Sequence, residues 1–460
     1  MTNDGCIHRR GRLLRTKVSW LPLTIAFLVV GTCALVALPR KTHAGPPGSM
    51  VHLNAVPQFA RRYNLKCSAC HTIVPVLNEQ GYMFKRLGYH LPPALQKGQP
   101  APTISDLVKK EPQWTLTNNV APAVTDFSYV AERTIQEGAS PALTSSFQVG
   151  TWNMYMGGWL PDTNFWYYAE FDIVSGGATN PELGNAYFGY TGGNARSSWY
   201  VAGGREHIQI GEGTRAAQVY SLLPGAPLLF ENSSPTNFVV DQSPVGIDVG
   251  YTWTSSNYRN IFAATMKVTN GDNADGSEIL GPSTRNSKDV YARLDYWYAP
   301  ESGVTFLSYY GKKDNLQTDL FGNQFTFHPA IRRQGIFANY KLFSKVDFLG
   351  GWLHSHDGWV APDGSSAKFI GNDYYVAIDY YIKQGLAVSG RYDLLHQQIT
   401  GLSGVGLQST HDWTMGASKT LTPSGNVIAR IAYSYLSGRD PVTAVKSTDK
   451  LFQADISFNF

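Results

Sequence analysis

The sequence predicts a mainly β protein: a transmembrane antiparallel β-barrel of about sixteen strands, preceded by a small α-helical segment. Three observations predict it. Charged residues fill only 16% of the 460 positions, aromatics reach 13%, and there are 45 glycines. The mean hydropathy is nevertheless −0.21, too low for a bundle of apolar helices and suited to strands that show one face to lipid and the other to water. Strand-length segments also alternate strictly, and short turns alternate with longer polar connections. A net charge of +4, with no basic stripe interleaved with aromatics, argues against nucleic acid as a partner.

Taken in order, the first forty-four residues are unlike the rest. Arg9, Arg10, Arg12, Arg15 and Lys17 precede an apolar run from Trp20 to Leu38, and Thr42-His43-Ala44 offers a small-residue cleavage site. This order is that of a secretory signal, residues 1–44. The competing reading is an uncleaved inner-membrane anchor, because a span needs about twenty residues. Pro22 and Gly31 interrupt the run and favour cleavage. Val30-Gly31-Thr32 is a poor lipobox before Cys33. Cleavage after Ala44 removes Cys6 and Cys33 and leaves Cys67 and Cys70.

Those two thiols stand in Cys67-Ser68-Ala69-Cys70-His71. This spacing is the attachment pattern of c-type haem. Each cysteine makes a thioether to one vinyl carbon, and the adjacent imidazole of His71 is held beneath the iron as proximal ligand. A zinc site would need a second pair of ligands. A redox dithiol or plain disulfide fits the spacing but lacks the βαβ surroundings of thioredoxin-like motifs. For the sixth iron ligand, Met83 is the preferred candidate and His90 the next. Met50 and His52 lie upstream, and an open position is also allowed. From Pro75 to Leu87 the apolar spacing is helical, with Gly88 as a stop. Leu91-Pro92-Pro93 breaks the pattern, and a Pro/Gly/Gln-rich linker runs to about Thr103. Residues 45–108 are thus read as a monohaem segment with its linker.

Residues 109–460 are read as the barrel. In Val290–Tyr298, one face carries Val290, Ala292, Leu294, Tyr296 and Tyr298, and the other Tyr291, Arg293, Asp295 and Trp297. Segments 165–173 and 386–394 alternate likewise. Short turns are expected near Pro161-Asp162, Gly192-Gly193, Ser255-Ser256, Pro300–Gly303, Phe343-Ser344, Gln384-Gly385 and Pro423–Gly425. Long loops are expected at 271–288, 313–329, 356–368 and 437–449. The alternation from Phe452 to a terminal Phe460 resembles the C-terminal assembly signal of outer-membrane barrels. A barrel of about sixteen strands leaves an aqueous channel unless filled. Two fillers are available: the haem segment, and the connection from about Gln209 to Val245. Glu170, Asp172, Arg293, Asp295, Arg391, Asp393 and Arg430 are lumen candidates, expected chiefly to pair across a wet interior. Asp272, Asp275 and Glu278 lie in a predicted outer loop, where solvation is the simplest role.

A family resemblance rests on Pro57-Gln58-Phe59-Ala60-Arg61, Cys67–His71, Pro75, Leu77, Gly81, Phe84-Lys85 and Gly88-Tyr89. This block resembles the N-terminal block of the fused outer-membrane monohaem cytochrome c–porins, whose best-known members are the iron oxidases of iron-oxidising bacteria. Tyr82 follows Gly81 where the iron-oxidase type is expected to have Arg. The resemblance implies electron transfer in the outer membrane, from an extracellular donor such as ferrous iron, through one covalent haem c, to a periplasmic cytochrome or copper protein. It would make the chain an iron:acceptor oxidoreductase or a plain electron carrier. The haem segment is then expected in the barrel lumen or at its periplasmic mouth, and a haem that meets an external donor directly has to lie up inside, because the lipid band is about 25 Å tall. The alternatives are a transport porin whose haem segment is a plug or gate and, last, a peroxidase.

Overall fold

The computed structural model describes residues 58–73, 76–87, 89–93, 99–110, 120–175, 182–206, 222–223, 227–231, 244–257, 259–270, 288–299, 301–312, 315–318, 324–327, 329–360, 366–402, 404–439 and 445–459. The expected signal segment, Met50, His52, Asp272, Asp275, Glu278 and Phe460 lie outside the described residues. The N-terminal elements are α1 (Gln58–Arg62), a 3-10 turn (Cys67–Ala69), β1 (His71–Ile73), β2 (Val76–Leu77), α2 (Glu79–Arg86) and α3 (Ile104–Val108).

Long strands follow: β3 (Val120–Gln136), β4 (Ala142–Trp159), β5 (Phe165–Ser175), β6 (Glu182–Gly193) and β7 (Ser197–Arg205). After a short helix α4 (Leu228–Glu231) come β8 (Val245–Thr254), β9 (Ile261–Thr269), β10 (Asp289–Ala299) and β11 (Ser302–Lys312). Two short strands, β12 (Asn315–Thr318) and β13 (Gln324–Phe327), make a separate hairpin. The chain ends with β14 (Ala330–Leu342), β15 (Val346–Val360), β16 (Ser366–Lys383), β17 (Leu386–Leu402), β18 (Gly404–Thr420), β19 (Val427–Arg439) and β20 (Lys446–Asn459). All but β1, β2, β12 and β13 close into one antiparallel barrel of sixteen strands, the number expected from the sequence. Closure joins β20 to β3, with Asn459 opposite Val124. Full closure leaves no unpaired strand edge.

The burial pattern is inverted relative to a water-soluble protein. Leu294 and Met415 point outward and are each 59% exposed, while Arg293 is 5% and Asp393 0% exposed. Tyr291, Asp295 and Trp297 are buried with Arg293, so the two faces read from this segment are the two faces of the wall. A polar interior within an apolar exterior suits a barrel whose outer face meets lipid. The lumen candidates pair along the wall rather than across the interior: Arg293 Nε lies 2.8 Å from Asp295 and Arg391 Nε 2.7 Å from Asp393, each two residues on in the same strand, and Arg430 Nε lies 2.7 Å from Asp455 on the neighbouring strand. Glu170 accepts a bond from Asn185 at 2.8 Å. The side chain of Asp172 lies outside the described residues.

Each expected short turn falls at a strand end, and both ends of the barrel chain, Val120 and Asn459, lie on this same side. Phe343 and Ser344 both have positive φ, 50° and 58°, and as the central residues of the turn from Leu342 to Lys345 they give it the twist its flanking strands require. On the opposite side the prediction needs correction. Within the expected loops 356–368 and 437–449, residues 356–360, 366–368, 437–439 and 446–449 are strand, because β15, β16, β19 and β20 run on past the apolar part of the wall. Polar residues there still ladder, since both faces of a strand beyond the lipid can be wet.

The lumen is narrowed from both ends. From the long-connection side, Leu229 of α4 packs into a buried cluster with Tyr291, Phe337, Leu353 and Tyr375. Ser418 Oγ donates to the carbonyl of Leu222 at 3.1 Å. The described residues of the expected inner filler between β7 and β8 therefore lie inside the barrel. From the short-turn side, Ile73 and Val76 join a cluster with Leu222, Tyr381, Ala387 and Ile428. The two intrusions meet.

Candidate functional site

The Cys67–His71 motif is built as a single 3-10 turn followed by extended backbone. The Cys70 N–H donates to the Cys67 carbonyl at 3.1 Å, and His71 then pairs with Leu77 in the β1–β2 hairpin. The sequence predicts helix from Pro75; the helix instead begins at Glu79. Val76 and Leu77 are drawn into the hairpin, where Val76 is fully buried in the lumen. Pro75 and Gly88 lie outside the described residues. At the far end of α2, the Tyr89 N–H donates to the Phe84 carbonyl at 2.9 Å, the 6→1 bond that closes a helix C-terminus.

Asn78, not singled out from the sequence, is the staple of this region. Its Oδ1 accepts the Gly81 N–H at 3.0 Å, as an N-cap of α2. Its Nδ2 donates to the Ala69 carbonyl at 3.1 Å, inside the Cys67–His71 motif. Its own N–H donates to the Cys70 carbonyl at 2.9 Å. The signal available was an Asn placed before an apolar helical pattern. Asn78→Ala is expected to destabilise the segment by about 1 kcal/mol, up to about 2, and to lower the occupancy of whatever the motif holds. Thermal unfolding of the segment, followed separately from the barrel, checks this.

Gly81 permits the approach of α2 to the motif. A Cβ there would stand 2.2 Å from the Cys70 carbonyl oxygen, which no side chain tolerates. Phe59 stacks on Tyr89 with centroids 4.7 Å apart, and Phe84 meets both Phe59 and Tyr63 edge-on. Tyr63 Oη donates to the Tyr89 carbonyl at 3.0 Å. This aromatic knot fastens α1 to α2 around the motif and uses residues of the block that carries the family resemblance.

A half-open cavity of about 260 Å³ lies where the motif meets the barrel's short turns. Cys67, Ser68, His71, Thr72 and Ile73 line one side; Gln384, Gly385, Thr420, Thr422, Pro423 and Gly425 line the other. Gly425 has φ +85°, and a Cβ added there would approach the Cys67 Cβ to 3.3 Å. Cys67 is buried, Cys70 half-buried, and the two are not joined in a disulfide. Burial pushes the Cys67 thiol up to about 11 and raises that of Cys70. Thiols so disposed hold little thiolate at neutral pH and are poor agents of disulfide exchange. Among the described residues no group of three or more His, Cys, Asp or Glu could hold a bare metal ion.

The two candidate sixth ligands are seated elsewhere. Met83 is buried against Ile261 and Trp297, at the turns beside β9 and β10. His90 stacks on Trp159 with centroids 3.9 Å apart, at the end of β4. Neither lines the cavity at His71. For either to reach an iron there, its side chain has to leave these contacts.

A short helix follows directly on the expected linker, of which residues 94–98 lie outside the described residues. Thr103 and Asp106 make a reciprocal capping box at the start of α3, a pattern the sequence Thr103-Ile104-Ser105-Asp106 carries openly. The Thr103 hydroxyl holds the Asp106 carboxyl below its ordinary range. Ile104, Leu107 and Val108 pack with Leu87 against Trp159 and Trp166. The Ala195 N–H donates to the Pro102 carbonyl at 2.9 Å. The segment is thus tied to turns around much of the mouth.

No protein-family model and no curated protein matches this chain. Among solved structures it is similar to the outer-membrane protein OmpT of Vibrio cholerae in its trimer form, at 11% identity over 73% of this chain and 99% of that one, TM-score 0.47. It is similar to an anion-selective porin from Comamonas acidovorans, at 12% identity over 74% and 99%, TM-score 0.47. OprB of Pseudomonas putida is similar at 10% identity over 74% and 94%, TM-score 0.46.

Proposed function

We propose that this chain is an outer-membrane barrel protein that carries one covalent c-type haem at its short-turn mouth and passes electrons from an extracellular donor to a periplasmic acceptor. The observation that carries the reading is that Cys67 and His71 line one cavity between the N-terminal segment and the barrel turns. Cys67 and Cys70 would anchor the ring, and His71 would ligate the iron. A haem c held there supplies a one-electron couple. The cavity lies just below the usual span of ligand pockets, about 300–1,000 Å³, so a ring of porphyrin size keeps an edge outside it. That edge would face a periplasmic cytochrome or copper protein.

The chain's own residues do the rest. Asn78 and Gly81 hold the motif rigidly on α2, and Gly425 lets the β18–β19 turn close over Cys67. Ile73, Val76 and Leu222 keep water from the inner side of the motif. The motif stands at the level of the turns, so a donor would come down the lumen as far as the Ile73, Val76 and Leu222 cluster and pass its electron across it. On β14 to β18 that lumen carries Asp347, Asp357, Asp373, Asp379, Asp393 and Asp412, which outnumber Arg333, Lys341 and Arg391. This balance favours a small cation such as ferrous iron.

A second reading, a transport porin plugged or gated by the same segment, draws on the sixteen-strand barrel itself, a size that can hold an aqueous channel. The test is anaerobic addition of ferrous iron outside proteoliposomes of the haem-loaded protein, with the visible spectrum recorded. Reduction of the haem band is expected. An unchanged spectrum overturns iron as donor, and a large steady pore current favours the second reading.

A further inference from the structure

Five adjacent strands, β14 to β18, sort their charges by side. Every carboxylate they carry faces the lumen: Asp347, Asp357, Asp373, Asp379, Asp393 and Asp412 are all buried inside. Every ionisable group on the outward face other than tyrosine is basic. Near the long-connection end, the opposed outward residues form one row across all five strands: Gln334, His354, Asn372, His396 and Ser409. His354 Nδ1 lies 3.0 Å from Asn372 Oδ1, so the row is hydrogen-bonded along its length in part. Arg332 and His356 oppose one another one step further from the short turns, and Lys368 stands beyond them on β16.

The row's position matters as much as its sign. The next outward row toward the short turns is Ile336, Trp352, Tyr374, Leu394 and His411, and the one below it contains Val376, Tyr392 and Trp413. The Tyr392 ring lies tilted against Trp413 with centroids 4.3 Å apart, and its hydroxyl is 2.7 Å from His411 Nδ1. Aromatic residues in this arrangement mark the edge of the hydrocarbon. A wall facing only water is expected to mix both signs, and the lumen side of these same strands does. The outer side does not.

We infer that this basic and polar belt, free of carboxylates and set immediately above the row that carries Trp352 and Tyr374, is a docking surface for phosphorylated lipid head groups of the outer leaflet. Arg332 and Lys368 supply fixed charge, and the imidazoles and amides of the row supply donors to phosphate oxygens. The inference rests on the outer-membrane part of the proposed function and is independent of haem and electron transfer.

The test uses the full-length haem-loaded protein in phosphatidylcholine vesicles with and without phosphatidic acid. Lipid retained through detergent extraction is counted, and heat-dependent gel mobility reports insertion. Retention of phosphatidic acid over phosphatidylcholine is expected. It should fall roughly tenfold or more in the triple variant R332Q/H356Q/H396Q, whose substituted side chains face outward, while gel mobility stays unchanged. A Q398N variant should retain lipid as the parent does. Equal retention in the triple variant overturns the belt while leaving the membrane reading intact. Displacement of the lipid by inorganic phosphate at similar concentration also overturns it, showing a free-anion site. Failure to insert in any vesicle overturns the membrane reading and the belt together.

Discussion

Replacing Cys67 and Cys70 together by serine is expected to abolish covalently held haem completely while leaving the barrel folded. A covalent attachment has no partial substitute: with both thiols gone, His71 alone has to retain the ring. The His71 side is a half-open cavity of about 260 Å³, too small to bury a porphyrin by packing alone. The barrel does not depend on these thiols, because its strands are closed by their own ladder from β3 to β20. After denaturing electrophoresis the double variant should show no haem-linked peroxidase stain, against a strong band for the parent. Its heat-dependent gel shift should match the parent's. Loss of the shift would mean that the thiols serve folding rather than a cofactor.

Deleting residues 58–110 should convert a closed barrel into a conducting one. Three contacts hold this segment in the mouth: Ile73 and Val76 against Tyr381 and Ile428, Met83 against Ile261 and Trp297, and α3 against Trp159 and Trp166. Together they cover widely separated parts of the rim. A sixteen-stranded barrel freed of such a plug leaves an aqueous channel, though α4 and Leu222 still narrow one wall. Planar-bilayer current is expected to rise at least roughly tenfold over the parent, and to be steady rather than flickering. An unchanged current would mean that the inward connection between β7 and β8 is the true barrier.

Much of this architecture was legible because a barrel wall imposes period two on every strand. Tyr291, Arg293, Asp295 and Trp297 had to share a face once one of them faced the lumen. The turns at 343–344 and 384–385 interrupt that period; Gly385 takes its positive φ freely, whereas the positive φ of Phe343 has no signal in its residue type. At 356–368 and 437–449 polar composition does not distinguish loop from strand, because beyond the lipid a strand needs no apolar face. In the N-terminal segment, the motif's residues were legible but its setting was not. Val76 and Leu77 fit a helical pattern equally well, and only their burial inside the barrel selects the hairpin. Asn78 and the Thr103–Asp106 capping box carried local signals that a search for apolar period passes over. The seats of Met83 and His90 depend on Trp297 and Trp159, each far away in the chain.

Every step of the proposed electron transfer requires one metalloporphyrin bonded to the Cys67–Cys70 pair. Mass spectrometry of the proteolytic fragment containing Cys67 to His71, from protein matured with the haem-attachment machinery present and then denatured, measures it directly. A fragment heavier by one haem, with both thiols consumed, is expected. A fragment of unmodified mass, its cysteines free or joined to each other, would contradict it.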